Sequence, residues 1–311
     1  MSIAFVFPGQ GSQAVGMGKE LADHFPAAKA VFDRAARVLG QEYVDVIFSG
    51  PEEKLRQTKF TQPALFIVSM AALEVVKTSP LKPVLAAGHS LGEYSALCAA
   101  GAFDFETGLN LVKRRGEALQ EASDKIPGTM AAIVGLERAK VEEICAQAGA
   151  QGVCEAVNFN CPGQIVLAGA GAAIEEAVRL AQAAGSPKSV RLNVSGPFHS
   201  SLMKPAAEKM AAVLEFAPFN DAAIPVVANC DAQPTQKAED IKAKLLKQID
   251  HPVYWEETLR VMFAQGVDTF VEVGPGRVLS GLLRRTDKTK KFRNIEDKKS
   301  ADALLAPAVS S

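Results

Sequence analysis

Residues 84–96 read VLAAGHSLGEYSA: an apolar run, then Gly88-His89-Ser90-Leu91-Gly92, then a helix-compatible stretch. The reading of this stretch decides the fold. Val84–Ala87, bounded by Pro83 and Gly88, reads as a short buried strand, and the chain from Ser90 to Ala100 reads as a helix. Strand, tight turn and helix are the setting that a Gly-x-Ser-x-Gly elbow needs. A serine squeezed between glycines there is lifted clear of the backbone, where a substrate can approach its hydroxyl. The N–H of Leu91, at the helix N-terminus, is placed to bind a developing oxyanion. The plain alternative is a glycine-rich β–α turn with a serine N-cap. Both flanking glycines and both flanking elements are present, which favours Ser90 as a nucleophile.

Working outward, Ile3–Phe7 is a second apolar strand, and it ends in the loop Pro8-Gly9-Gln10-Gly11-Ser12-Gln13. The loop fails the dinucleotide spacing, because position 14 is Ala, and it fails the Walker A pattern, because Met17-Gly18 follows Gly16. Its backbone amides can instead supply a second oxyanion donor, Gln10 first among them; a plain strand-to-helix turn is the alternative. Helical patterns cover about 17–39, 51–57, 61–77 and 104–122. After Pro127-Gly128 the rhythm changes. Thr129–Gly135, Val153–Phe159, Gln164–Gly169 and Ser189–Val194 read as strands, and 137–148 and 172–184 as helices. The order β-α-β-β-α-β is the ferredoxin-like split βαβ pattern. We expect an α/β protein with a large core formed by 1–124 and 196–311, and a small inserted subdomain at 125–195. Linkers fall near Ser123–Gly128 and Ser195–Pro197. In the second half of the core, Ile224–Asn229 and Thr269–Val273 read as strands, 236–248 and 253–265 as helices, and the charged tail from Arg284 as a strand and a helix.

The composition narrows the functional classes. A 311-residue chain with 48% hydrophobic and 22% charged residues can bury the core of an ordinary globular enzyme. Its net charge of −1 gives no reason to expect a nucleic-acid partner. Five scattered cysteines with no CxxC pair, and four histidines without metal-ligand spacing, point to reduced thiols, a cytoplasmic setting, and neither metal nor cofactor. MSIAFVFPGQ lacks the basic region of a signal peptide, and the apolar stretch Ala64–Val76 reads as too short to cross a bilayer, so no membrane association is expected.

A serine nucleophile needs a base. His89 precedes Ser90 and points away from its hydroxyl, His24 reads as a surface helix residue, and His251 as a helix-end residue. His199, in Ser195-Gly196-Pro197-Phe198-His199-Ser200-Ser201, lies on a loop where the small subdomain rejoins the core, and is the best of the four. A hydrolase order of Ser, acid, His along the chain calls for a carboxylate after a core strand between Ser90 and His199. None fits, so either something other than a carboxylate orients the histidine, as a backbone carbonyl can, or the protein is not an orthodox hydrolase. Arg115 shares a helix face with Val112 and Leu119, which suggests partial burial. A snorkelling side chain or an internal ion pair is the bland explanation. Beside an exposed serine, a planar guanidinium suits a substrate carboxylate held bidentately. Leaving it unpaired in a closed site costs about 3–5 kcal/mol, or roughly two to three and a half decades of discrimination.

FPGQGSQ at 7–13, TQPALF at 61–66, GHSLGEYSAL at 88–97, KRRGEALQ at 113–120, NFNCPGQIVLAG at 158–169 and VEVGPG at 271–276 together resemble the malonyl-CoA:acyl carrier protein transacylase family of fatty acid synthesis. The resemblance runs in order along nearly the whole chain. It implies a hydrolase-like parallel-sheet core with a ferredoxin-like insert, and malonyl-CoA and an acyl carrier protein as partners. By position it makes Ser90 the acylated nucleophile, His199 the general base and then acid, Arg115 the clamp for the malonyl carboxylate, and the Gln10 and Leu91 amides the oxyanion hole. Gln248 matches a glutamine whose backbone carbonyl orients the histidine in the family, and Asn160 falls on the family's active-site hairpin. Phe198 is a departure, since many bacterial members carry a small residue there. In related polyketide acyltransferases a phenylalanine accompanies malonyl rather than methylmalonyl selection, so Phe198 either crowds a substrate α-methyl group or packs the core. Because carrier proteins are acidic as a family, Lys188, Arg191, Lys204 and the tail lysines are candidates for a docking patch. A stand-alone polyketide acyltransferase, a serine esterase or thioesterase, and a non-catalytic binding subunit are the competing readings.

Overall fold

The computed structural model describes residues 2–306. The strands are β1 (Ile3–Phe7), β2 (Leu85–Gly88), β3 (Thr129–Val134), β4 (Cys154–Cys161), β5 (Gln164–Gly169), β6 (Lys188–Arg191), β7 (Val226–Val227), β8 (Pro234–Thr235), β9 (Thr269–Val273) and β10 (Lys291–Ile295). They form two sheets. The first has the order β10-β9-β1-β2-β7-β8, parallel throughout except for the β7–β8 pair. Its central strands are buried on both faces, and this is why β1 (IAFVF) and β2 (LAAG) read as unbroken apolar runs without alternation. The second sheet is antiparallel with the order β4-β5-β3-β6, the ferredoxin-like arrangement of a βαββαβ unit. Backbone bonds from Phe159 N–H to the Val253 carbonyl (2.9 Å) and from Val253 N–H to the Val157 carbonyl (2.8 Å) fasten the small sheet to the segment that leads into helix Trp255–Ala264.

Helix Thr58–Val76 is buried, packed against helices Phe105–Lys125 and Pro26–Leu39. The sequence reading began it at 61 and took its apolar part as too short for a bilayer. The helix in fact has the length and apolarity of a membrane span, but 89% of that window is buried inside the protein. The pattern over 17–39 splits at Phe25 into Lys19–His24 and Pro26–Leu39, since Pro26 drives the residue before it out of helical geometry. Helix Phe105–Lys125 starts where Asp104 caps the Thr107 amide, and Gly108 and Gly116 on its length let it pack closely against Phe66 and the Thr58 backbone.

Two strands are shorter than expected, both for reasons that concern the site. The expected strand Ser189–Val194 pairs over Lys188–Arg191, with one further bond from Leu192 N–H to the Met130 carbonyl (2.8 Å); Leu192 and Val194 line the cleft beside Ser90. The expected strand Ile224–Asn229 pairs only at Val226–Val227, because the chain turns through Ala228–Ala232 (Ala232 φ 53°) and directs Asn229 at the Ser90 elbow. Helices Gln41–Ser49 and Val278–Thr286 had no counterpart in the sequence reading.

Candidate active site

The elbow is built by close backbone approach. A Cβ on Gly88 would lie 1.9 Å from the Gly92 carbonyl carbon, and one on Gly92 would lie 2.1 Å from the Phe7 carbonyl oxygen. Only glycine therefore lets β2, the turn and helix Gly92–Ala99 fold back over the end of β1. Between them Ser90 takes φ 51°, the left-handed region that costs a non-glycine residue on the order of 1 kcal/mol or more. Asn229 holds it there: its Oδ1 accepts the Ser90 N–H at 2.7 Å, and its Nδ2 donates to the Gly88 carbonyl at 2.8 Å.

His199, also at a positive φ of 64°, brings Nε2 to 2.7 Å from Ser90 Oγ. Its Nδ1 lies 2.8 Å from the Gln248 carbonyl oxygen, so Nδ1 carries the proton and the Nε2 lone pair faces the serine. The ring is buried; burial first, and the Arg115 charge second, pull its pKa down to about 3. The imidazole is neutral throughout the physiological range and available as a base. No carboxylate among the described residues bonds to it.

Arg115 is more deeply placed than the helix face suggested, 1% exposed rather than partly buried. NH1 donates to Gln62 Oε1 (2.8 Å), and NH2 donates to Gln248 Oε1 (2.8 Å) and reaches Ser90 Oγ at 3.2 Å. The ring of Tyr94 lies 5.5 Å from its guanidinium carbon. A buried cation whose partners are neutral oxygens is electrostatically unfinished, and burial accordingly lowers its pKa. An anion entering beside Ser90 would complete it.

The Gln10 and Leu91 amides lie at the two loops that meet over Ser90, after β1 and after β2. Among the described residues neither amide donates to another group, whereas the Ser90 amide is taken by Asn229. Phe198 is buried and lines the cleft. The cleft holds about 90 Å³ and has Ser90, His199, Arg115 and Gln10 on its walls, with Met130, Leu192, Val194 and Ile249 as its apolar side. Asn160 bonds His89 Nε2 through Oδ1 at 2.8 Å, and it is Asn158, two residues earlier, that lines the cleft. His24 bonds its own helix at the Glu20 carbonyl, and His251 lies beside Asp250 on the exterior.

Three residues at the site escaped the sequence reading: Gln62, Glu93 and Asn229. Gln62 and Glu93 carried a usable signal, because each is a polar side chain in a helix that is otherwise apolar on that side, TQPALF and GEYSAL. Asn229 gave none, since it followed what looked like an ordinary strand.

Residues 4–307 match the family model for the acyl transferase domain. The malonyl CoA-acyl carrier protein transacylase of Bacillus subtilis is 44% identical over 304 residues, covering 97% of this chain and 96% of that protein. Its Escherichia coli K12 namesake is 43% identical over 306 residues, covering 98% and 96%. Among solved structures, the acyl-carrier-protein-S-malonyltransferase of Bartonella henselae superimposes with a TM-score of 0.94 at 42% identity, over 98% of each chain. A malonyl-transacylase solved in complex with a type II PKS acyl-carrier protein also superimposes with a TM-score of 0.94 at 42% identity, over 98% of this chain and 99% of that one. The chain belongs to the malonyl-CoA:acyl carrier protein transacylase family of acyl transferases.

Proposed function

We propose that this chain transfers the malonyl group of malonyl-CoA to the phosphopantetheine thiol of an acyl carrier protein through a malonyl-Ser90 ester, supplying extender units for fatty acid synthesis. One observation carries the reading: Ser90 Oγ is flanked by a neutral imidazole at 2.7 Å and a buried guanidinium at 3.2 Å. The acceptor of an acyl group and an anchor for a carboxylate at its far end are side by side. The names of the close relatives supply the same donor and carrier.

In the first half-reaction Ser90 Oγ attacks the thioester carbonyl carbon while His199 Nε2 takes the hydroxyl proton. The Gln10 and Leu91 amides hold the resulting oxyanion. The C–S bond breaks, and the imidazolium returns the proton to the departing CoA sulfur. In the second half the carrier thiol gives its proton to Nε2 and attacks the ester, and Ser90 leaves with that proton. The Gln248 carbonyl keeps the proton-bearing Nδ1 fixed through both halves. Arg115 pairs with the malonyl carboxylate, and the apolar wall containing Phe198 keeps the ester from water. Asn160 supports the site indirectly, through His89. Among the described residues, those of 1–124 and 196–311 form the unit that carries the nucleophile, and the inserted unit 125–195 supplies Met130, Leu192 and Val194 as the opposite wall. All five cysteines are free thiols, in keeping with a cytoplasmic enzyme.

Intact-mass measurement after mixing with malonyl-CoA tests the reading. A single malonyl adduct is expected on the wild type, none on Ser90→Ala, and discharge on adding carrier protein. A wild type that gains no adduct would overturn it.

A further inference from the structure

Glu93 takes no part in that mechanism, yet it is the most unusual group near it. It lies in the first turn of helix Gly92–Ala99 and is 2% exposed. No lysine or arginine is within salt-bridge distance of it among the described residues; its bonds are to two neutral N–H groups, both on Oε2. Gln248 Nε2 donates at 2.8 Å and the Asn229 amide at 3.0 Å. A buried carboxylate without an ion-pair partner costs stability that an apolar side chain of like size would not. Its presence calls for a role.

The role follows from what its two partners hold. The side-chain amide of Gln248 has one acceptor end and one donor end. Its oxygen takes Arg115, while its nitrogen reaches the Ser90 carbonyl at 2.9 Å and Glu93. A carboxylate only accepts, so it draws the NH2 end toward itself and leaves the oxygen facing the guanidinium. With the amide turned the other way, two donors would confront Arg115. Asn229, whose N–H Glu93 takes, has its side chain on the Ser90 amide. One carboxylate oxygen thus sets both groups that grip the strained Ser90 backbone, one at its N–H and the other at its carbonyl. Gln248 is also the residue whose own carbonyl orients His199.

We infer that Glu93 is a positioning residue for acyl transfer, its carboxylate fixing the orientation of the Gln248 amide and the seat of Asn229, and through them the Ser90 backbone and the Arg115 guanidinium. This rests on the proposed function in taking Ser90 as the nucleophile and Arg115 as the malonyl anchor.

The test uses the full chain and two readouts: the rate at which a fluorophosphonate labels Ser90, and the ratio of malonyl to acetyl transfer from the corresponding CoA esters. Circular dichroism and thermal melting establish that each variant is folded. Glu93→Ala is expected to slow labelling about ten- to a hundredfold, the usual effect of losing a partner behind a reacting group, and to narrow the malonyl preference. Glu93→Gln, which can still turn an oxygen toward both N–H groups, is expected to recover both to within a few-fold of wild type. A merely structural role would alter the melt and leave both readouts of the folded protein unchanged. Wild-type labelling and preference in folded Glu93→Ala would overturn the inference, as would a Glu93→Gln as impaired as Glu93→Ala. Should Glu93→Ala fail to fold, Glu93→Asp, with its carboxylate drawn back by one methylene, carries the same expectations and the same overturning result. A wild type labelled no faster than Ser90→Ala would instead sink the nucleophile assignment, so the two failures are distinguishable.

Discussion

Arg115 gives its donors to neutral oxygens, the side-chain amides of Gln62 and Gln248 and the Ser90 hydroxyl, so its charge counts most when a carboxylate arrives. Arg115→Ala should lower kcat/KM for malonyl-CoA by a hundredfold or more, corresponding to about 3 kcal/mol or more, while acetyl transfer is unchanged or rises. Parallel rate measurements with the two esters check this, and a retained malonyl preference would refute the clamp. His199 makes a prediction in pH. Its pKa lies far below the usual histidine value, so the neutral, reactive form persists as pH falls. Glu93, pushed up to about 7 chiefly by burial, would add a second titration in the same window, and it is removed by working in Glu93→Gln. In that variant phosphonate labelling of Ser90 should stay level from pH 8 to pH 5. A half-fall near pH 6.5 would mean that the imidazole keeps its solvated basicity. Ser90, the face of Arg115 and the choice of His199 could be read from sequence because each rests on local spacing. Glu93 showed itself only as a polar side chain in an apolar helix; its role was not legible, since the groups that give it meaning lie 136 and 155 residues away.

At the scale of elements, the elbow depends on glycine because backbones approach too closely there for a Cβ, and a pair of substitutions tests this. Gly92→Ala drives a Cβ into the Phe7 carbonyl, backbone against backbone, so β1 and helix Gly92–Ala99 must part. A loss of about 3 kcal/mol or more is expected by denaturant unfolding, at or above the upper end for overpacking. Gly149→Ala is the control: its φ is −58° and nothing lies within 4 Å of the added Cβ, so stability should hold or rise by up to about 1 kcal/mol. If both variants lost stability equally, close approach would not be the reason for glycine at 92. Elements announced by periodicity or by caps, such as helix Phe105–Lys125 and the β4–β5 hairpin, were legible to within a few residues. The β6 and β7 boundaries were not, because Val194 and Asn229 look like strand residues and are drawn off to serve the cleft and the elbow. Tertiary demand decided there, and a single sequence does not display it.

For the whole molecule, a net charge of −1 conceals local structure. β6 exposes Lys188 and Arg191, and the very next residue, Leu192, lines the cleft, so this basic strand leads from the surface to the reacting serine. An acidic carrier approaching there would be steered by charge. The double substitution Lys188→Glu and Arg191→Glu should raise KM for the carrier several-fold and steepen its loss with salt, with the rate of Ser90 malonylation by malonyl-CoA unchanged. Stopped transfer assays with carrier varied at fixed malonyl-CoA measure this; an unaltered carrier KM would move the docking face elsewhere.

The strand order of the large sheet has a consequence for how the chain is made. β1 pairs on one side with β2, complete at residue 88, and on the other with β9, which begins at residue 269. At about 5–20 residues per second, a ribosome needs roughly 10 to 35 seconds to synthesise what separates them. During that interval the first strand of the protein presents an open hydrogen-bonding edge at what will become the middle of the sheet. A nascent chain of this topology needs its last elements before its first can close, and a stalled ribosome would leave the sheet open at its centre rather than frayed at its rim.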